Sequence, residues 1–79
     1  MGIMGRGTVK FFNEQKGYGF IVPIGKVGIT LPDVFVHTSA VEKAGLTTLS
    51  EGQVVEYTLV EHRGRTQAEN LKLLATPNR

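Results

Sequence analysis

The chain has no cysteine and no tryptophan, and only three prolines. Without cysteine there is neither a disulfide framework nor a thiolate metal site, which fits a reducing compartment. Without tryptophan, any ring chemistry falls to four phenylalanines, two tyrosines and two histidines. No apolar run reaches membrane-spanning length and no signal-peptide pattern opens the chain. The start Met1-Gly2 is followed at position 6 by Arg6 rather than Ser or Thr, so it is no myristoylation site. Catalytic sets are also missing. The acids are scattered, and His62 falls in an expected turn, far along the chain from His37, so no nucleophile, base and orienting group assemble. Gly17-x-Gly19 is no dinucleotide fingerprint, because Pro23 follows where a helix should start. The reading is of a non-enzyme with no cofactor and no metal.

What is present is concentrated. Seventy-nine residues make one small domain with a modest core. Net charge is +2, and residues 1–39 hold the whole excess: Arg6, Lys10, Lys16 and Lys26 against Glu14 and Asp33. The same half holds Phe11, Phe12, Tyr18, Phe20 and Phe35; only Tyr57 lies elsewhere. Basic charge interleaved with rings is the footprint of a single-strand binder.

Lys16-Gly17-Tyr18-Gly19-Phe20-Ile21-Val22 sets two rings two apart, on one face of a strand. Interior glycine weakens a strand, and its usual reasons are a bulge or the close approach of something else. Asp33-Val34-Phe35-Val36-His37 repeats the pattern, with valines facing one way and Phe35 and His37 the other. Gly19 with Ile21, and Val34 with Val36, make the better core, which turns the rings outward.

In chain order, residues 1–5 read as a loose terminus. Strands are expected over Thr8–Asn13, Tyr18–Ile24, Val34–His37, Gln53–Val60 and Thr66–Leu74, the last with a weaker pattern. Asn13 to Gly17 is a turn, residues 25–32 form a loop, and Glu61–Arg65 turns around Gly64. In the fourth strand Val55, Tyr57 and Leu59 alternate with Val54, Glu56 and Thr58. Ser39 to Glu42 has capping-box spacing and Gly45 is a plausible stop, so one short helical turn is expected. Five short strands and almost no helix point to a small closed β-structure, and rings on strands two and three match the five-stranded OB-fold.

Gly7-Thr8-Val9-Lys10-Phe11-Phe12-Asn13, Lys16 to Ile21, Asp33 to His37, Ser39-Ala40 and Glu51-Gly52-Gln53 resemble, in order, the bacterial cold-shock proteins. The resemblance runs over residues 6–74, leaving 1–5 as a flexible N-terminus and 75–79 as a tail. It implies an all-β, five-stranded antiparallel OB-fold barrel. It implies binding of single-stranded RNA and DNA, with a role as RNA chaperone or transcription antiterminator. It places Lys10, Phe11, Phe12, Asn13, Lys16, Tyr18, Phe20, Asp33, Phe35 and His37 on the binding face, with Arg63 near it. The accompanying expectations are a cytoplasmic monomer with no membrane partner and no small-molecule substrate.

Three positions depart from the family's habit. Phe11 stands where it usually has tryptophan, Thr38 where it has an aromatic or histidine, and Leu46 where phenylalanine is common. Ile24–Leu31 is longer and more apolar than the family's usual turn. On Asp33, the plain role is a strand-edge residue; the functional one is acceptance of a base amino group, as acids accept from cytosine. Rival readings are a protein-interaction barrel, an RNA-recognition motif, which would need two helices, and a hydrolase, which would need a catalytic set.

Overall fold

The computed structural model describes residues 3–24 and 32–75. Five strands, β1 (Ile3–Asn13), β2 (Tyr18–Pro23), β3 (Val34–His37), β4 (Val54–His62) and β5 (Arg65–Ala75), are joined by one helix, α1 (Thr38–Lys43). The strands close into a barrel in the order β1-β2-β3-β5-β4, with β4 returning to β1.

Four of the seams are antiparallel, and β3 runs parallel to β5 through Phe35 opposite Gln67 and Val36 opposite Ala68. The expected all-antiparallel barrel is therefore corrected to a mixed one. The reason is parity. Strand direction can alternate all the way round a closed ring only if the number of strands is even. With five, one seam must be parallel. It falls between β3 and β5, because α1 carries the chain across between β3 and β4 and packs against both seam strands.

The core holds the aliphatic residues that the alternation assigned to it, Ile21, Val34 and Val36, joined by Val41 of α1 and by Val55 and Tyr57 of β4, all of them buried. Burial of its ring also raises the Tyr57 hydroxyl pKa above the ordinary tyrosine value. Residues 3–5 are not a loose terminus: Ile3, Met4 and Gly5 pair with Leu59, Thr58 and Tyr57 of β4. Gly5 lies against the Tyr57 ring, which its hydrogen atom in place of a side chain allows. At the other end β5 continues to Ala75. The loop reading for residues 25–31 lies outside the described residues.

The helix starts differently from its sequence signal. Its N-cap is His37, not Ser39: the ring Nδ1 accepts the Ser39 backbone N–H at 3.1 Å, and the Ser39 Oγ lies 3.0 Å from the same nitrogen. The capping-box spacing is real, but α1 starts two residues earlier than that reading requires, directly where β3 ends at His37. His37 is left with the extended backbone (φ −96°, ψ 151°) that a cap needs. The predicted stop holds. Gly45 has φ +82°, its N–H donates to Glu42 O at 2.9 Å, and Leu46 N–H donates to Val41 O at 3.1 Å.

The β4–β5 hairpin closes with two residues between paired His62 and Arg65, and both have positive φ: Arg63 at 56° and Gly64 at 78°. That is a type I′ turn, in which the first position favours Asn. Arginine with its Cβ is held there at a cost of about 1 kcal/mol. Arg63→Asn should raise the melting temperature by roughly 4–8 °C. Arg63→Lys, whose long side chain lacks the local hydrogen bonds by which asparagine tolerates this backbone, should leave it unchanged. Thermal denaturation of both variants is the check, and a gain for lysine equal to that for asparagine would assign the effect to something other than backbone strain.

Candidate nucleic-acid interface

The outer surface of β1, β2 and β3 carries the rings. Cross-strand pairing sets Phe11 opposite Phe20, Phe20 opposite Phe35, and Tyr18 opposite His37. The resulting contacts are continuous. Phe11 and Phe20 lie 5.6 Å apart between ring centroids, and Phe20 and Phe35 lie 5.9 Å apart edge to face. Tyr18 and Phe35 lie 5.9 Å apart and nearly parallel, at 22°; Phe35 and His37 lie 6.4 Å apart. These separations are those of favourable aromatic pairs, so the platform supports itself before any ligand arrives. Each ring keeps an outward face, and Phe11 is 39% exposed.

A β-bulge brings Phe11 there. Val9 pairs with Ile21 and Phe11 with Phe20, so Lys10 is an extra residue in β1. It shifts the alternation by one. Val9 is buried, Lys10 and Phe11 are both exposed, and Phe12 turns in to pack against the core. Phe12, expected on the binding face, is thus a wall of the barrel and takes no part in the ring cluster.

Asn13 and Lys16 belong to one turn. The Asn13 Oδ1 accepts the Lys16 N–H at 2.9 Å and its carbonyl accepts the Gly17 N–H at 2.8 Å. Gly17 O in turn accepts Thr38 N–H at 2.8 Å, tying the turn to the start of α1. Asn13 therefore shapes the loop that presents the exposed Lys16 beside Tyr18. Thr38 sets its methyl beside Gly17. Leu46 packs against the core, so neither of these two departures adds a ring to the face.

The charged groups at the edge are paired in part. Lys10 Nζ meets Asp33 Oδ2 at 3.0 Å, with both side chains well exposed (56% and 36%). A pair this exposed is worth about 0–1 kcal/mol, so a phosphate or base can compete for either partner. His37 holds a fixed orientation. Because Nδ1 accepts a backbone N–H, a neutral ring carries its proton on Nε2, the nitrogen left for a ligand. Arg63 sits at the tip of the β4–β5 hairpin, outside the ring cluster.

Two residues that the sequence reading passed over join this surface. Gln67 is the β5 partner of Phe35, hence on the same outward face, and its Nε2 donates to Glu69 Oε2 at 2.9 Å. Nothing local in β5 marks them; only closure of the barrel sets them beside β3. Among the described residues no group of three His, Cys, Asp or Glu is placed to hold a metal ion. Among the same residues no helix is long and apolar enough to cross a membrane.

Residues 5–74 match the family model of the "Cold-shock" DNA-binding domain. The chain belongs to the cold-shock domain family. It is 50% identical over 72 residues to the probable cold shock protein y4cH of Sinorhizobium fredii, covering 89% of this chain and 99% of that one. Over 71 residues it is 52% identical to cold shock protein CspA of Rhizobium meliloti, covering 87% and 97%. A cold shock-like protein of Thermotoga maritima is 48% identical over 69 residues, covering 87% and 97%. A cold-shock barrel with an outward ring platform is accordingly a nucleic-acid-binding protein, and the remaining question is how it holds its ligand.

Proposed function

We propose that this cold-shock protein binds single-stranded RNA and DNA by stacking successive bases on Phe11, Tyr18, Phe20, Phe35 and His37. Lys10 and Lys16 lie along the backbone path, Asp33 stands at the platform's edge, and Arg63 gives a further phosphate contact from the hairpin. Asn13 contributes by shaping the Lys16 turn, and Phe12 by backing the platform from the core. The observation that carries this reading is the unbroken chain of ring contacts across three strands, all on the face turned away from the core. Base faces stack on rings without regard to sequence, at about 1–3 kcal/mol per base by truncation. An OB-fold covers about 4–16 nucleotides, and a platform this short belongs at the low end.

Holding single strands draws base-paired structures towards their melted form by mass action. That gives RNA-chaperone and antitermination behaviour without a nucleotide cofactor or a catalytic group, in a cytoplasmic monomer. A titration of a pyrimidine-rich single strand and its duplex at two salt concentrations tests the reading. The single strand should bind at least tenfold more tightly, because a duplex hides the base faces. With Lys10, Lys16 and Arg63 as the phosphate contacts, the salt slope should be shallow, about −2 in log–log terms. Equal affinity for both forms would remove stacking as the mechanism; a much steeper slope would move the weight to phosphate contacts.

A further inference from the structure

Glu69 is at first sight misplaced. It stands on the outward side of β5, two residues along from Gln67, the partner of Phe35. A polyanion bound on this surface would be repelled by a carboxylate there. Yet the side chain is half-buried and held by the Gln67 amide at 2.9 Å through Oε2. That bond settles the direction of both groups. Gln67 turns Nε2 to Glu69 and so points Oε1, an acceptor, the other way. Glu69 keeps Oε1 and the remaining lone pairs of Oε2, all acceptors. Carrying the β3–β5 register on by one residue sets Glu69 level with His37, so the acceptors border the Phe35–His37 end of the platform.

A base stacked on Phe35 turns its hydrogen-bonding edge sideways, along the sheet. Towards β5 it meets the Glu69 carboxylate and the Gln67 Oε1, acceptors that outnumber the one N–H of Gln67 not given to Glu69. An edge rich in acceptors, such as that of uracil or thymine, gains little there. The guanine edge offers N1–H and the 2-amino group side by side, two parallel donors that match the two oxygens of a carboxylate. We propose that Gln67 and Glu69 read the base stacked on Phe35 and favour guanine at that one place, on a surface otherwise tolerant of sequence. This rests on the stacking reading of the preceding subsection.

The test uses the full chain and a set of labelled heptathymidylates carrying one guanine at each position in turn. One position should bind about fivefold or more tightly than the all-thymine parent, the low end of what a paired base-edge contact gives. Hypoxanthine at that position, which lacks the 2-amino group, should lose the gain. Glu69→Gln should abolish the guanine preference while leaving the all-thymine affinity unchanged or higher, since a repelling charge has gone. A merely structural role would weaken both ligands together. Should Glu69→Gln fold poorly, Gln67→Ala and the guanine–hypoxanthine comparison on the unaltered chain still decide. If the parent binds but no position prefers guanine, or the preference survives hypoxanthine or Glu69→Gln, this inference falls alone. If the parent does not bind, the stacking reading falls and takes it along.

Discussion

Replacing Gly19 with alanine should cost at least about 3 kcal/mol and lower the melting temperature by more than roughly 12 °C. Gly19 lies inside β2, opposite Phe12, where β1 has just been shifted by its bulge. A Cβ built there would fall on the Phe11 carbonyl oxygen, 2.7 Å from Phe12 Cδ1 and 2.8 Å from Phe12 Cα. The phenyl ring could swing aside, but the carbonyl and Cα belong to the backbone of β1, held there by its ladder to β2. Relief requires β1 and β2 to separate where the platform is built. A chain of this length is stable by roughly 4–12 kcal/mol in all, so such a loss leaves a protein near its threshold. Gly45→Ala is the control. It also adds one methyl, at φ +82°, but nothing lies within 4 Å of the added atom. Its cost should be the backbone strain alone, about 1 kcal/mol. Equal losses for the two variants in thermal denaturation would mean that close packing of β1 on β2 is not what Gly19 protects.

Gly19 also shows how far the sequence could be read. An interior glycine announces either a bulge or a close approach, and in β2 it answers to both: the bulge is in the neighbouring strand and the approaching body is that strand's backbone. Alternation placed Ile21, Val34 and Val36 inside, because apolar and ring residues there differ in kind as well as in phase. It could not separate Phe11 from Phe12, two identical side chains in a row. Only the extra residue at Lys10 decides which of them faces water, and a one-residue shift leaves no mark in composition. The helix start was missed for a related reason. Ser39 and Glu42 have the spacing of a cap, but the length of β3 fixes His37 in the cap position first. The parallel seam follows from counting strands round a closed ring, an argument about topology that no single segment carries. Gln67 and Glu69 come to the platform only through that seam, so the weak pattern of β5 hid them.

Phe35 and Val36 are adjacent, and their removal should have opposite consequences. Val36 is fully buried, opposite Gly19 on one side and Ala68 on the other. With small partners on both flanks and strands fixed by their ladders, the space left by Val36→Ala cannot close. The loss of two buried carbons plus the cavity should cost about 2–3 kcal/mol. Oligonucleotide affinity of the molecules that remain folded should not change, because no atom of Val36 reaches the outer face. Phe35 is half-buried and touches Tyr18, Phe20 and His37, all on that face. Phe35→Ala forfeits ring contacts that water partly replaces, about 1 kcal/mol of stability. In binding it removes the ring that links Tyr18 and Phe20 to His37 and leaves Phe11 as the one ring those two still share. The dissociation constant should rise by one base stack, about 1–3 kcal/mol or roughly 5- to 150-fold. The two variants thus cross: one melts early and binds normally, the other melts nearly normally and binds badly. Melting curves and titrations on the same preparations, with affinity referred to the folded fraction, read both effects together. Weak binding by folded Val36→Ala, or undiminished binding by Phe35→Ala, would turn the sheet over and put the ligand on the face assigned here to the core.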